Sequence, residues 1–192
     1  MSSNKALKIN LGAGTDIRDG FINHDITQLS GIDVVHNLNS YPWPWEDNSV
    51  DEIIAIDVLE HVNDFLPAME ELHRIIKVGG VLNLKVPYWN SVFRHIDPTH
   101  QRGFHEVTFH FFDPSKELCK LRSYYTDARF TIMEEVFILI PFTPYLKLPF
   151  IKRIEVKNKF SKRIVGFVGN LLSNIILDLE ITLKKIPNDE SG

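Results

Sequence analysis

Between positions 95 and 105 the chain reads His95-Ile-Asp97-Pro-Thr-His100-Gln-Arg102-Gly-Phe-His105, its richest cluster of side chains able to move a proton or bind a ligand. An imidazole titrates near pH ~6.5, which suits it to take a proton close to neutrality. His100 and His95 are the candidate general bases, with Asp97 as the carboxylate that orients the ring. The same run admits metal chemistry, because two histidines and a carboxylate suit Zn2+ or Fe2+, here drawn from His95, Asp97, His100 and His105. Irregular spacing and the lack of a cysteine partner weigh against that, so no metal ligand is assigned. A purely structural role is the third alternative, since Asp-Pro is a natural turn or cap.

A second group lies near the start. Ala6–Leu11 alternates like a buried strand and runs into Gly12-Ala13-Gly14. Two glycines at a strand end let the backbone approach a ligand that a Cβ would repel. The third position of the dinucleotide fingerprint holds Ile17 instead of Gly or Ala, which argues against a pyrophosphate site, and no G-K-[ST] follows. What remains is a glycine turn and an acid, Asp25, at the end of the next strand. A carboxylate there can accept hydrogen bonds from two ribose hydroxyls. Asp25 comes only 11 residues after Gly14 rather than the usual ~20, so the first crossover must be very short.

These loops need strands to hold them. Further strands are expected at 20–26, 32–38, 50–56, 81–86 and 130–140, and a last one at 178–186. The segment 41–48 (YPWPWEDN) cannot be regular, because its prolines alternate. Trp43 and Trp45 within it are expected to pack on the core or its rim. Asn63 or Asp64 should cap a helix that runs to about Lys77 on the stripe Phe65, Leu66, Met69, Leu72, Ile75, Ile76, and Gly79-Gly80 should end it. His61 would buttress the start of that helix, and His73 would sit on its surface. Short helices are expected at 106–112 and at 114–124 behind Asp113, and a helix or helix pair at 152–176. Strands alternating with helices or short crossovers specify an α/β fold: a Rossmann-like, mainly parallel, doubly wound sheet of about six to seven strands with helices on both faces. Ligands on such sheets bind beyond the carboxyl ends of the strands.

Length and composition fit one domain, 1–192, with a cofactor-binding core at 6–141 and a basic, apolar helical appendage with a last strand at 142–192. The net charge of −4 divides unevenly, about +4 from Phe142 onward and −8 before it. Seven basic residues and one acid lie between Lys147 and Arg163. That segment could pack on the sheet, close an acceptor pocket, build a dimer or rest on a membrane surface; packing and pocket closure are favoured, and nucleic-acid binding is not expected. The single cysteine, Cys119, and the absence of a signal-like N-terminus point to the cytoplasm.

Lys8–Thr15 (KINLGAGT) resembles the first motif of class I S-adenosylmethionine-dependent methyltransferases. Gly20–Ile26 (GFINHDI), His36–Ile53, Asp57–Val62 (DVLEHV) and Glu71–Pro87 resemble, in order, segments of a compact, type 11-like branch of that family with an abbreviated first helix. The resemblance covers roughly Lys8 to Asp113, and the run His95–His100 (HIDPTH) has a familiar counterpart there. It implies S-adenosylmethionine as cofactor. Gly12 and Gly14, with Ala13 between them, would admit its methionine and ribose portion, and Asp25 would bind the ribose hydroxyls. Asn37, where the family usually has Asp, would face the adenine amino group; Leu38 would pack on the adenine, and Asp57 would lie near the amino-acid end. The implied activity is methyl transfer to a small-molecule, sugar or lipid-linked glycan acceptor. Two alternatives stay open: a non-catalytic S-adenosylmethionine-binding protein, and a metal-dependent enzyme using the His95–His105 loop.

Overall fold

The structure, a computed structural model, describes residues 6–139 and 153–187. One half of its sheet is parallel. Strands β1 (Lys8–Leu11), β2 (Ile22–Asp25), β3 (Val34–Val35), β4 (Val50–Ile56) and β5 (Ile76–Pro87) lie in the order β3-β2-β1-β4-β5. The other half is antiparallel. β6 (Phe130–Leu139), β7 (Ile154–Val156) and β8 (Asp178–Lys185) continue the sheet as β5-β8-β6-β7, with β8 antiparallel to both of its neighbours. Among the described residues the sheet therefore has eight strands. The β1–β2 crossover contains no helix, as the short Gly14–Asp25 spacing requires.

Period-two alternation sorts the strand side chains. Ile53, Ala55, Leu82, Leu84, Leu179, Ile181 and Leu183 are buried on one side, against helix α1 (Phe65–Ile75) and the aromatic cluster of Phe65, Phe104, Phe109 and Phe112. The opposite side carries a polar ladder. Lys8 pairs with Glu52 at 2.7 Å, Asn83 Nδ2 donates to Glu52 at 3.3 Å, and Thr182 Oγ1 donates to Asn83 at 3.1 Å.

Helix α1 follows the expected stripe but stops earlier than expected. Ile76 is already extended and pairs with Val50, so Gly79-Gly80 lies inside β5 and does not end the helix. The register shifts between Val50 and Glu52, and the glycine pair serves that bulge. A Cβ on Gly80 would stand 3.0 Å from the Asp51 carbonyl oxygen. Asp64 occupies the N-cap position without a side-chain cap bond. His73 is a correction: it is 9% exposed, not on the surface, with its ring 5.3 Å from that of Phe130.

After β5 come α2 (Phe93–Ile96), α3 (Glu106–Phe109), a 3-10 turn (His110–Phe112), α4 (Glu117–Leu121) and a second 3-10 turn (Ser123–Tyr125). The Asp113 carboxylate accepts from Ser115 N and Ile132 N, so it ties this region to β6. The segment 152–176 is not one helix or a helix pair. Ile154–Val156 pairs with the free edge of β6, and Asn158 then caps α5 (Lys159–Leu171) by accepting from Phe160 N and Ser161 N. Lys147 and Lys152 of the basic segment lie outside the described residues. No described helix is long and apolar enough to cross a membrane.

Candidate functional site

The carboxyl ends of β1, β2, β4 and β5 open toward the same end of the parallel half, and two groups of side chains gather there. The first is the glycine turn. Gly12 and Gly14 take positive φ, +61° and +52°. A Cβ on Gly12 would stand 2.5 Å from Val58 Cγ2, so the protein's own packing demands glycine there. A Cβ on Gly14 would meet nothing within 4 Å, so the space over Gly14 is open. Gly14 N donates to Asp25 Oδ2 at 2.9 Å, and Thr27 N donates to Asp25 Oδ1 at 2.9 Å. A carboxylate offers about four lone-pair sites, so Asp25 keeps room for two more donors. The Ala13 amide is bonded to the His24 carbonyl at 2.8 Å, which fixes the turn on β2.

Asn37 is exposed, and its Oδ1 accepts from Asn39 N at 2.9 Å, which holds the side chain in a local turn with one lone pair to spare. Leu38 is half-buried against the core, and its carbonyl accepts from Trp43 Nε1 at 3.1 Å. Trp43 and Trp45 are both buried, edge to face. The Arg74 guanidinium locks this proline-rich loop: it bonds both Glu71 oxygens, Asp47 and the carbonyls of Trp43 and Trp45. These donors and acceptors fit an adenosyl ligand: an open glycine turn, a carboxylate aimed at it, and an amide oxygen one strand further on.

The second group lines a cleft of about 570 Å³ bounded by Asp57, Glu60, His61, Lys85, Asp97, His100 and Asp178, with Phe93 and Ile96 among its apolar walls. Asp57 (φ +54°) turns out of β4, and Lys85 bonds both of its carboxylate oxygens, at 2.8 and 3.0 Å. Asp178 adds a third carboxylate oxygen 3.4 Å from Lys85. Burial opposes the charge on Lys85, but the attraction of Asp178 and Asp57 holds its ammonium above the ordinary lysine value. Burial pushes the Asp178 carboxyl up, and the pull of Lys85 only partly offsets it.

The histidine run does not converge as its spacing suggested. His95 is exposed, its Nδ1 lies 3.4 Å from Arg94 Nη1, and it lines a neighbouring crevice with Trp89 and Arg102. His105 caps α3, accepting from Val107 N at 3.2 Å. Asp97 makes no bond to the His100 ring: its Oδ1 accepts from Thr99 N and Thr99 Oγ1, and the Thr99 hydroxyl meets His61 Nδ1 at 2.8 Å. Those bonds hold the Asp97 carboxyl below its ordinary range. His100 faces Glu60 instead, Nε2 to Oε1 at 3.9 Å, and its ring lies 4.6 Å from that of His61. Glu60 is 0% exposed, and burial pushes its carboxyl up to about 8. Burial, with His100 beside it, lowers His61.

The sequence shows Glu60 only as part of the DVLEHV segment and gives His61 a buttressing role at the helix start, with no chemistry for either. An acid and a histidine at the end of a strand, on the ligand-binding edge of a parallel sheet, were the available signal.

Residues 9–84 match the family described as "Methyltransferase domain". In fold the chain is similar to a "SAM dependent methyltransferase from Archaeoglobus fulgidus", at 16% identity and a TM-score of 0.59, over 95% of this chain and 87% of that one. The family match covers less than half of the chain, and the structural likeness shows the fold of S-adenosylmethionine-dependent methyltransferases. The chain is also similar in fold, at 16% identity and a TM-score of 0.55, to a solved complex of a Haloferax volcanii methyltransferase activator, Trm112, with a methyltransferase, covering 95% of this chain and 84% of that one. A sequence relative, the demethylmenaquinone methyltransferase of Listeria welshimeri, is 28% identical over 86 residues, 40% of this chain. The match spans only 36% of that relative's own length.

Proposed function

We propose that this chain transfers a methyl group from S-adenosylmethionine to a hydroxyl-bearing small molecule, sugar or lipid-linked glycan. The Gly14–Asp25 hydrogen bond carries this reading, because it makes the open glycine turn and the carboxylate one pocket. The bound cofactor supplies a sulfonium methyl already activated for displacement. Asp25 holds the ribose hydroxyls, Asn37 accepts from the adenine amine, and Leu38 forms the apolar wall. Asp57, paired with Lys85, lines the 570 Å³ cleft and would lie near the amino-acid end of the cofactor. Alignment of donor and acceptor supplies much of the rate, up to ~7–11 kcal/mol. His100 accepts the acceptor's proton, with Glu60 beside it; His95 opens onto the neighbouring crevice and serves as a wall.

The cleft's charge narrows the acceptor. Asp57, Asp97 and Asp178 face a single lysine, Lys85, while Glu60 is held protonated near neutrality, so an anionic reacting end is disfavoured and a polyhydroxyl one is favoured. The surface favours lipid linkage. Along α5, Phe160, Ile164, Phe167 and Leu171 form one stripe, 50–73% exposed, while Gly166 and Gly169 face inward. Arg153, Lys157 and Lys162 are held by Glu180, Glu134 and Glu135, but Lys159 and Arg163 form no ion pair among the described residues. An apolar stripe flanked by two free cations suits an anionic lipid surface. The α5 end also meets the loop after β5: Asn90 Nδ2 donates to the Gly169 carbonyl at 2.7 Å, and Val92 N donates to Asn174 at 2.6 Å.

Calorimetry with S-adenosylhomocysteine tests the core of the proposal. Asp25→Ala should weaken binding ~10–100-fold, as expected for two charge-assisted hydrogen bonds. Undetectable binding to the unaltered protein would end the methyltransferase reading. Radiolabelled methyl transfer to polyols and lipid-linked sugars then separates an enzyme from a binding protein.

A further inference from the structure

Glu60, His61 and His100 bring three potential ligand atoms, one oxygen and two nitrogens, to within 4.8 Å of one another. No other group of this kind occurs among the described residues, and neither His95 nor His105 belongs to it. Three atoms at this point lack hydrogen-bond partners: both Glu60 carboxylate oxygens and His100 Nδ1, all buried. A fully buried carboxylate with nothing bound to either oxygen is rare in a folded protein and asks for a partner.

The surroundings prepare His61 as a ligand. The Thr99 hydroxyl has one hydrogen and donates it to Asp97 Oδ1 at 2.6 Å. It must therefore accept from His61 Nδ1, 2.8 Å away. That bond leaves the proton on Nδ1 and the lone pair on Nε2. A hydroxyl and a carboxylate behind the far nitrogen are the outer-shell support that fixes ring orientation in metal-binding histidines. The charge also fits. Lys85, the one lysine in the cleft lining, is neutralised by Asp57 and Asp178, so no free cation of the lining opposes a bound ion beside Glu60.

We infer that Glu60, His61 and His100 bind a divalent transition cation of the Zn2+, Mn2+ or Fe2+ class, facing the acceptor cleft. Two imidazoles and one carboxylate are a donor set for such ions, and three protein ligands leave positions open toward the cleft. Donor atoms of one such site stand ~3–4 Å apart, so small side-chain rotations close the present spread. No step of methyl transfer is needed to show the ion binds. Its role rests on the proposed function: an acceptor hydroxyl meeting the ion loses its proton more readily. His100 is then a ligand, and only in the ion-free protein is it a base.

The test uses full-length protein stripped with chelator and titrated with Zn2+ by calorimetry and with Co2+ by visible absorption. One ion per chain is expected, with tetrahedral or five-coordinate Co2+ bands. Glu60→Gln and His100→Gln should each weaken binding at least ~10-fold, and Thr99→Val should do so through His61. His95→Gln should leave affinity unchanged. Far-ultraviolet circular dichroism of each variant separates lost ligation from lost fold, and His61→Gln provides a further ligand variant should Glu60→Gln unfold. No stoichiometric binding, or binding equal in all variants, overturns the inference and leaves His100 free as the base. Absence of S-adenosylhomocysteine binding to the unaltered protein sinks the methyltransferase reading instead, and does not bear on the ion.

Discussion

At the scale of single residues, the two glycines of the first turn separate packing from ligand space. Gly12→Ala forces a Cβ within 2.5 Å of Val58 and should cost ~2–3 kcal/mol of stability, read as a lowered melting temperature. Gly14→Ala meets no protein atom within 4 Å, so only its positive φ is strained, at ~1–2 kcal/mol, while S-adenosylhomocysteine affinity should fall more than for any equally strained turn elsewhere. His73 is a second residue-scale case. Burial, with Lys185 and Arg129 nearby, pushes its imidazole down to about 4 from 6.5. The unfolded chain then binds the proton that the folded protein refuses between those values. Stability is fully present above pH ~6.5 and is lost as pH falls toward 4, a slope that His73→Gln should flatten in thermal melts at pH 7 and pH 5. His73 lay in a helix whose apolar stripe was complete without it, so nothing in the spacing announced its burial; the aromatic Phe130, 57 positions later, covers it.

At the scale of elements, two side chains hold the joint between α1 and its neighbours. Lys185 Nζ donates to the carbonyls of His73 and Ile76 and to Asn48 Oδ1, 2.5–2.8 Å away. A cation at the carboxyl end of α1 satisfies orphan carbonyls and complements the helix dipole. Burial lowers its pKa. Lys185→Met should lower stability by ~1.5–3 kcal/mol in denaturant melts, because buried acceptors are left unpaired. Arg74 acts at the other joint. Arg74→Ala should cost ~2–4 kcal/mol and also weaken S-adenosylhomocysteine binding, since the loop it locks carries Trp43, whose indole holds the Leu38 carbonyl. The helix at 63–77 was legible as an existence and a face, whereas its end was not. Gly79-Gly80 looks like a stop signal, yet strand pairing of Ile76 with Val50 ended the helix first.

At the scale of the whole molecule, a sheet with one buried and one polar, laddered side is joined to an appendage whose largest apolar side chains face outward. The helix α5 packs by its small residues, so its stripe is free for another surface. Phe160→Ser with Phe167→Ser should leave the unfolding free energy within ~0.5 kcal/mol of the parent, both rings being exposed, and should abolish cosedimentation with vesicles of anionic phospholipid. Retained cosedimentation would remove the lipid surface from the proposed function.

Local spacing by itself determined the glycine turn, the Asp25 carboxylate, the irregular tryptophan loop and the strand sequence, because each depends on neighbours within a few residues. The short crossover is countable in the sequence from Gly14 to Asp25. Tertiary structure alone decided which histidines meet. His95, His100 and His105 stand close in the chain, yet an Asp-Pro turn and a helix cap send them to three places. Glu60 and His100, 40 positions apart, come together because β4 and β5 run parallel and deliver their following loops to one edge. Contacts of that kind are set by the path of the whole chain through the sheet, and no short window of sequence encodes them.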